Sequence, residues 1–234
     1  MIQIYRVCKT YQGDICALTN INLHIQRGGF IFLTGPSGAG KTTLLKLLLC
    51  AERPTSGHII IDGRNIDRIK PWQIPLLRRR IGVVFQDFKL LYNRTVFENV
   101  AFALEVIGAS REEIRKRVLY TLKMVRLQQK AGVMPHRLSG GEQQRVAIAR
   151  SIVHEPIILL ADEPTGNLDP DLTLEIIADF ETINARGTTI IVATHDYTLV
   201  NRFRRRVVEL RGGHIVSDVP APEEKQFEAP LHGF

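Results

Sequence analysis

The chain has 234 residues, 44% of them hydrophobic and 24% charged, an ordinary balance for a globular protein with a full hydrophobic core. Its longest apolar runs, at 157–161 and 188–193, fall well short of the roughly 18 residues that span a bilayer, so no membrane crossing is expected. A net charge of +7 permits anionic partners, nucleic acid or an acidic lipid surface, without choosing between them.

In chain order, Ile2 to Val7 and Leu18 to Ile25 alternate in part between apolar and polar residues around the turn material Gln12-Gly-Asp14, which predicts a small antiparallel sheet. The opening Met1-Ile-Gln-Ile-Tyr-Arg has no charged-then-apolar leader, and a cytoplasmic protein is expected. Cys8, Cys16 and Cys50 have unrelated spacings and no C-x-x-C, so they read as buried thiols rather than disulfide or zinc partners. Phe30 to Leu33 predicts a buried strand and Thr43 to Cys50 a helix. Further strands are expected at His58 to Asp62 and Arg80 to Gln86. From about Asp87 to Glu155 the spacing turns helical, through Val96, Val100, Leu104, Ile107, Ile114, Val118, Leu122 and Val125. Strands at 157–161 and 188–193 then flank a helix from Leu172 to Asn184, a spacing that suits a βαβ crossover and a parallel sheet. The tail from Asp218 is rich in Pro and Glu and is expected to be weakly ordered. Basic clusters at Arg78 to Arg80, Arg115 to Arg117 and Arg202 with Arg204 to Arg206 read as solvated helix faces.

Gly35-Pro36-Ser37-Gly38-Ala39-Gly40-Lys41-Thr42 matches G-x-x-x-x-G-K-[ST] at every fixed position, between the predicted strand and helix that the motif requires. Glycines let successive N–H groups point inward, and the helix start adds its positive end. Lys41 then reaches the β- and γ-phosphates and the Thr42 hydroxyl can ligate Mg²⁺. A triphosphate site is therefore expected, with Thr43 completing the cradle. The strand at 157–161 ends in Asp162 and Glu163, where parallel sheets bind their ligands. Asp162 is assigned to Mg²⁺ and its water shell, and Glu163 to the water that attacks the γ-phosphate. In Leu138-Ser-Gly-Gly-Glu-Gln-Gln-Arg145, Ser139 and Glu142 form a capping box that opens a helix from Gly140 to Val153, a second helix start suited to phosphate. Capping accounts for Ser139 and Glu142, but not for Gly140 and Gly141 followed by Gln-Gln-Arg.

With these motifs in this order, residues 1 to about 216 resemble the ATP-binding-cassette (ABC) ATPases. The resemblance implies an α/β P-loop NTPase fold with a RecA-like parallel-sheet core, an N-terminal antiparallel β subdomain and an inserted α-helical subdomain at about 87–155. The ABC domain would span 1–217, with 218–234 as the tail. ATP and Mg²⁺ are the implied cofactors. The family's head-to-tail homodimer would set Ser139, Gly140 and Gly141 against the partner's nucleotide. Tyr11 stands at the place of the adenine-stacking aromatic, with a half-buried turn tyrosine as the alternative. Gln86 matches the residue that joins Mg²⁺ and the attacking water to the helical lobe, and His195 matches the switch histidine at the γ-phosphate. Asn167-Leu168-Asp169 resembles the loop that crosses the dimer interface, although Gly166-Asn167 replaces the common Ser-Ala, which leaves Asp169 as the assigned contact. Catalysis thus falls to Glu163, His195 and Gln86, and the metal to Thr42, Gln86 and Asp162.

Within that family the chain is similar to the FtsE group of bacterial cell-division ATP-binding proteins. The residues that carry this likeness are Phe32 to Lys41, Glu52 to Gly57, Ile74 to Asp87, Arg94 to Val100 and Ala161 to Asp169, with the Gly-Ala-Gly loop and Leu77-Arg-Arg-Arg-Ile-Gly82 the better discriminators. It implies an FtsX-like integral membrane subunit, a place on the cytoplasmic face of the inner membrane, control of periplasmic cell-wall hydrolases, and no nucleic acid. Lipoprotein-release and macrolide-export ATPases share Ala161 to Asp169 and stand as the alternative. An SMC-type nucleic-acid machine would need sustained heptads between Lys41 and Ser139, where there are none. A purely regulatory module would lack the carboxylate that Glu163 supplies. Phe88, Leu90, Leu91 and Tyr92 form an apolar cluster after Gln86, read either as core or as one wall of a groove for the membrane subunit.

Overall fold

The computed structural model describes residues 1–166 and 168–222. Asn167 and most of the expected tail, 223–234, lie outside the described residues. The elements run β1 (Ile2–Tyr11), β2 (Ile15–Ile25), β3 (Phe30–Thr34), α1 (Lys41–Leu48), β4 (Ser56–Ile61), β5 (Arg64–Asn65), α2 (Ile74–Arg78) and β6 (Ile81–Val84). Then follow α3 (Val96–Val106), α4 (Arg111–Met124), α5 (Gly140–Ile152), β7 (Ile158–Asp162), α6 (Pro170–Asn184), β8 (Thr189–Ala193), α7 (Tyr197–Phe203), β9 (Arg206–Arg211) and β10 (His214–Val219).

Two sheets result. A four-stranded antiparallel sheet has the order β2-β1-β4-β5, and a six-stranded sheet the order β10-β9-β3-β8-β7-β6, parallel except for the β9–β10 hairpin. The period-2 geometry of a strand explains why continuous apolar runs can serve two cores at once. Ile31, Leu33, Ile158, Leu160, Ile191 and Ala193 pack with α1 and the antiparallel sheet. Their neighbours Phe30, Phe32, Leu159, Ala161, Ile190 and Val192 face the opposite way, toward α3, α5 and α6. A fully buried side chain such as Phe32 or Ile31 contributes roughly 1.5–3 kcal/mol, so this sandwich fixes the strands firmly.

The helical lobe is opened by caps that the sequence spells out. Thr95 with Glu98 and Ser139 with Glu142 form reciprocal capping boxes, Ser110 caps α4 and Asp169 caps α6.

Several sequence expectations change. The helix after the phosphate loop starts at Lys41 rather than Thr43, because Gly40 turns left-handed at φ +106° and itself becomes the N-cap. The N-terminal hairpin is longer than the alternation suggested, running to Tyr11 and resuming at Ile15 through register shifts that hide its period. β10 continues through Asp218 and Val219, past the expected boundary at 217, since the Asp218 carboxylate accepts two hydrogen bonds of 2.8 Å from Arg206. The cysteines are not buried thiols: Cys16 is exposed, and Cys8 and Cys50 are half-buried. In the basic clusters Arg78, Arg79, Arg115, Lys116, Arg202 and Arg204 are exposed, as a solvated face requires, but several of the clustered arginines also bind within the fold. Arg80 pairs with Asp62 at 2.5 Å, Arg117 with Glu113 and Glu155, Arg205 with Glu181, and Arg78 donates to the carbonyls of Leu49 and Cys50. The cluster after Gln86 divides: Leu90 belongs to the core with Phe88 packed against it, while Tyr92 is exposed.

Candidate active site

The strand order brings four chain segments to one edge. β6, β7, β8 and β3 are consecutive neighbours, and their C-terminal ends lead respectively to Gln86, to Asp162 and Glu163, to His195, and to the phosphate loop. These segments enclose a cavity of about 560 Å³ lined by Pro36 to Thr43, Gln86, Asp162, Glu163, His195 and Ala17.

The loop can take only glycine at two places. At Gly35 (φ +138°) a side chain would run into the Leu210 carbonyl of β9, and at Gly40 a Cβ would lie 2.6 Å from the Ala17 carbonyl oxygen. The chain is thereby pressed against both sheets, with α1 beginning at the cavity. Lys41 is only 7% exposed, and its Nζ donates to the carbonyls of Gly35 at 2.6 Å and Pro36 at 3.2 Å. The same ammonium is 3.5 Å from Glu163 Oε1, while Glu163 Oε2 is 2.9 Å from His195 Nδ1. Glu163 thus bridges the lysine and the histidine.

Glu163 is held in the left-handed region at φ 48°, and its N–H donates to the Ala193 carbonyl at 2.9 Å. Such backbone costs of order 1–3 kcal/mol and persists only where the surroundings enforce it. Here the β7–β8 pairing, which sets Asp162 opposite Ala193, does so. Thr42 Oγ1 donates to Asp162 Oδ1 at 3.3 Å. Burial pushes the Asp162 carboxyl above its ordinary pKa and the neighbouring Glu163 adds to this, against the Thr42 hydrogen bond and the charges of Lys41 and Lys46. A half-buried carboxylate and a hydroxyl, both hard oxygen donors, fit Mg²⁺. No group of three or more His, Cys, Asp or Glu suited to a metal occurs among the described residues; Gln86 lines the same cavity and offers a third oxygen, and further ligands would come from phosphate and water.

The other predicted contacts do not line this cavity. Tyr11 closes β1, with the Lys9 ammonium 4.7 Å above its ring. Ser139, Gly140 and Gly141 open α5, and Asp169 opens α6 by accepting the Leu172 N–H at 2.9 Å. Gly141 also has a packing role that the sequence did not reveal, because a side chain there would enter Leu172.

Residues 18–166 match the ABC transporter family. The chain belongs to that family. It is an ABC-type ATPase, and its similarity extends well beyond the matched segment. It is 52% identical to the cell division ATP-binding protein FtsE of Bacillus subtilis strain 168, over 97% of this chain and 100% of that protein. Against its namesake from Escherichia coli K12 the identity is 50%, over 92% and 97%. Among solved structures, the ATP-binding cassette MJ0796, as a post-hydrolysis dimer bound to ADP and Pi, superimposes on this ABC domain with a TM-score of 0.84 at 39% identity, covering 93% and 97% of the two chains. CbiO1 from Clostridium perfringens, part of the CbiONQ transporter complex, gives 0.88 at 34% identity, covering 97% and 90%.

Two residues of the ABC domain escaped the sequence reading as participants. Ala17 lines the cavity from β2, far from any motif, and nothing in its local sequence signals this. Gln144 is fully buried and its Nε2 donates to the Pro164 carbonyl at 2.5 Å, joining α5 to the turn after Glu163. Its place within Gln143-Gln144-Arg145 was the available signal.

Proposed function

We propose that the chain is the ATP-hydrolysing subunit of an FtsE–FtsX-like membrane complex, acting as an ATP-dependent homodimer in the regulation of cell-wall hydrolysis during bacterial division. For the ATPase chemistry the carrying observation is the convergence of Lys41, Thr42, Gln86, Asp162, Glu163 and His195 on one cavity. The cell-division role is supported by about 50% identity, over nearly the whole chain, to proteins that bear that name.

In this reading the nucleotide's phosphates take the place that the Gly35 and Pro36 carbonyls now fill at Lys41 Nζ. Glu163, released from Lys41, accepts a proton from the attacking water, and His195, which meets that carboxylate in this structure, contacts the γ-phosphate. Thr42, Asp162 and Gln86 would hold Mg²⁺, which when bound neutralises phosphate charge. Ser139, Gly140, Gly141 and Asp169 act on the nucleotide of the second subunit, and Tyr11 stacks on its own adenine. The dimeric MJ0796 cassette supports the homodimer in this reading.

No helix among the described residues is long and apolar enough to cross a membrane, so a place on the cytoplasmic face of the inner membrane would depend on a partner. The surface we assign to its cytoplasmic helix is an apolar groove of about 400 Å³ between α2 and α3. Pro75, Phe102, Ala103, Val106 and Ile107 line it, with Arg78, Arg79 and His154. Expressing the chain with and without an FtsX-like subunit and fractionating the cells tests the proposal. Membrane recovery only with that subunit, abolished by Val106→Asp in a folded chain, is expected. Equal recovery in both cells overturns the assignment.

A further inference from the structure

Arg150, in the last turn of α5, is half-buried and has an unusual set of partners. Its Nη1 donates to the Lys89 carbonyl at 2.7 Å and its Nη2 to the Phe88 carbonyl at 2.9 Å. No carboxylate among the described residues pairs with it, and burial pushes its pKa below the ordinary arginine value with nothing to offset the shift. A guanidinium taken out of water without a counter-charge is costly, so the two carbonyls it reaches must be held where it needs them.

Those carbonyls belong to a strained segment. Phe88 and Lys89 are consecutive non-glycine residues in the left-handed region, at φ 55° and 49°, two positions after Gln86. Single residues visit that region; two in succession need enforcement from outside. The segment's own contacts are the Lys89–Asp87 ion pair at 2.5 Å and the hydrogen bond from Lys89 N–H to the Asp87 carbonyl. Further along, buried Asn99 donates to the carbonyls of Leu91, Arg94 and Thr95 and accepts the Leu91 N–H, fixing the far end of the strap. Tyr92 donates to Gln143 at 3.2 Å, a second tie to α5.

We propose that Arg150 is a positioning residue for hydrolysis: its two-carbonyl grip keeps the loop after Gln86 in the shape that presents Gln86 to the cavity, and makes that shape depend on where α5 lies. α5 begins beside Ser139 and ends at Arg150's turn, 13 residues and about 20 Å later, and a helix of that length moves as a rod. A displacement of its Ser139 end on meeting a second subunit's nucleotide is thereby delivered to the Gln86 loop. This inference rests on the reading that Gln86 acts on the nucleotide.

The competing role is a favourable charge at the α5 C-terminus, which any cation would fill. Arg150→Met keeps the packing volume and removes the donors, and Arg150→Lys keeps the charge but not the planar fork. ATP hydrolysis by the full chain is measured for both, with Gln86→Ala alongside, and ADP affinity is measured separately. For Arg150→Met we expect kcat to fall about tenfold or more with KM within about threefold, and Arg150→Lys to recover only part of the loss. Lys89→Gly supplies the sharper readout, because glycine adopts the left-handed conformation unaided. Added to Arg150→Met, or to Arg150→Lys should the Met variant fail to fold, it should raise kcat at least about threefold above the single variant. Full recovery by Lys alone, wild-type turnover in Arg150→Met, or no gain from Lys89→Gly overturns the grip. Wild-type turnover in Gln86→Ala overturns the role of Gln86 first, and the grip with it.

Discussion

The phosphate-loop edge and the start of α5 are both glycine-rich helix N-termini, yet they differ in how much of their chemistry one chain completes. At the first, groups from four neighbouring strands converge, and the side chains already contact one another across the cavity: Lys41 with Glu163, Glu163 with His195, Thr42 with Asp162. At the second, Ser139 is occupied with the Glu142 N–H, Glu142 pairs with Lys130 and accepts the Ser139 N–H, and Gly141 is needed for packing against Leu172. Every one of these contacts has a local reason, and none reaches the cavity. A site can therefore be assembled by sheet order alone in one place, while in another the same kind of motif is, within one chain, a well-capped helix end, and its chemistry would come only with the proposed second subunit.

This contrast can be broken most severely at Glu163. Glu163→Gln keeps the shape of the bridge between Lys41 and His195 but removes the proton acceptor, so turnover should fall by about 10²–10⁴ while ATP binding persists and an ATP-bound dimer accumulates. Size exclusion with Mg-ATP checks the dimer, and turnover near that of the unmodified chain would remove Glu163 from catalysis. Lys41→Ala should weaken ATP binding about 10–100-fold, since the phosphates lose a charge-assisted partner. Equilibrium titration with a fluorescent ATP analogue reads this, and unchanged affinity would discredit the cavity as the nucleotide site.

Ser139→Arg tests the other region. Nucleotide binding by each monomer should stay within about twofold, because Ser139 does not line the cavity, whereas hydrolysis should fall about tenfold or more as closure is blocked. Loss of monomer binding would mean that the two regions are not separable. The smallest effect is expected at Asp162. A carboxyl whose folded pKa is raised binds its proton more tightly when folded, so the nucleotide-free chain should lose stability as pH rises from the ordinary aspartate pKa through the raised one. Asp162→Asn should therefore raise the melting temperature of that form by about 1–3 °C at neutral pH, while weakening Mg²⁺-dependent ATP binding. A lower melting temperature would show that the Thr42 bond and the lysine charges outweigh the burial.

Much of this was legible in the chain itself. The phosphate loop, the carboxylates at the end of β7 and the capping box before α5 are local patterns, because phosphate recognition and helix capping depend on residues a few positions apart. The buried strands were visible as apolar runs, although not which alternate residues face which core. β1 and β2 were underestimated, since register shifts break the period on which a strand prediction relies. The cysteines were misjudged because a small residue carries no local mark of its exposure, whether on a strand, as Cys8 and Cys16 are, or in the turn after α1, as Cys50 is.

The sequence by itself determined the kinds of groups available and their family, down to the lysine, the hydroxyl and the carboxylates, because short-range spacing carries that information. Only the tertiary structure decided that β8 inserts between β3 and β7, that Ala17 closes the cavity from another sheet, and that Arg150 reaches a loop more than sixty residues away. Those facts arise from long-range strand pairing and packing of two cores on one sheet, whose free energy is a property of the whole chain and leaves no pattern in any local stretch.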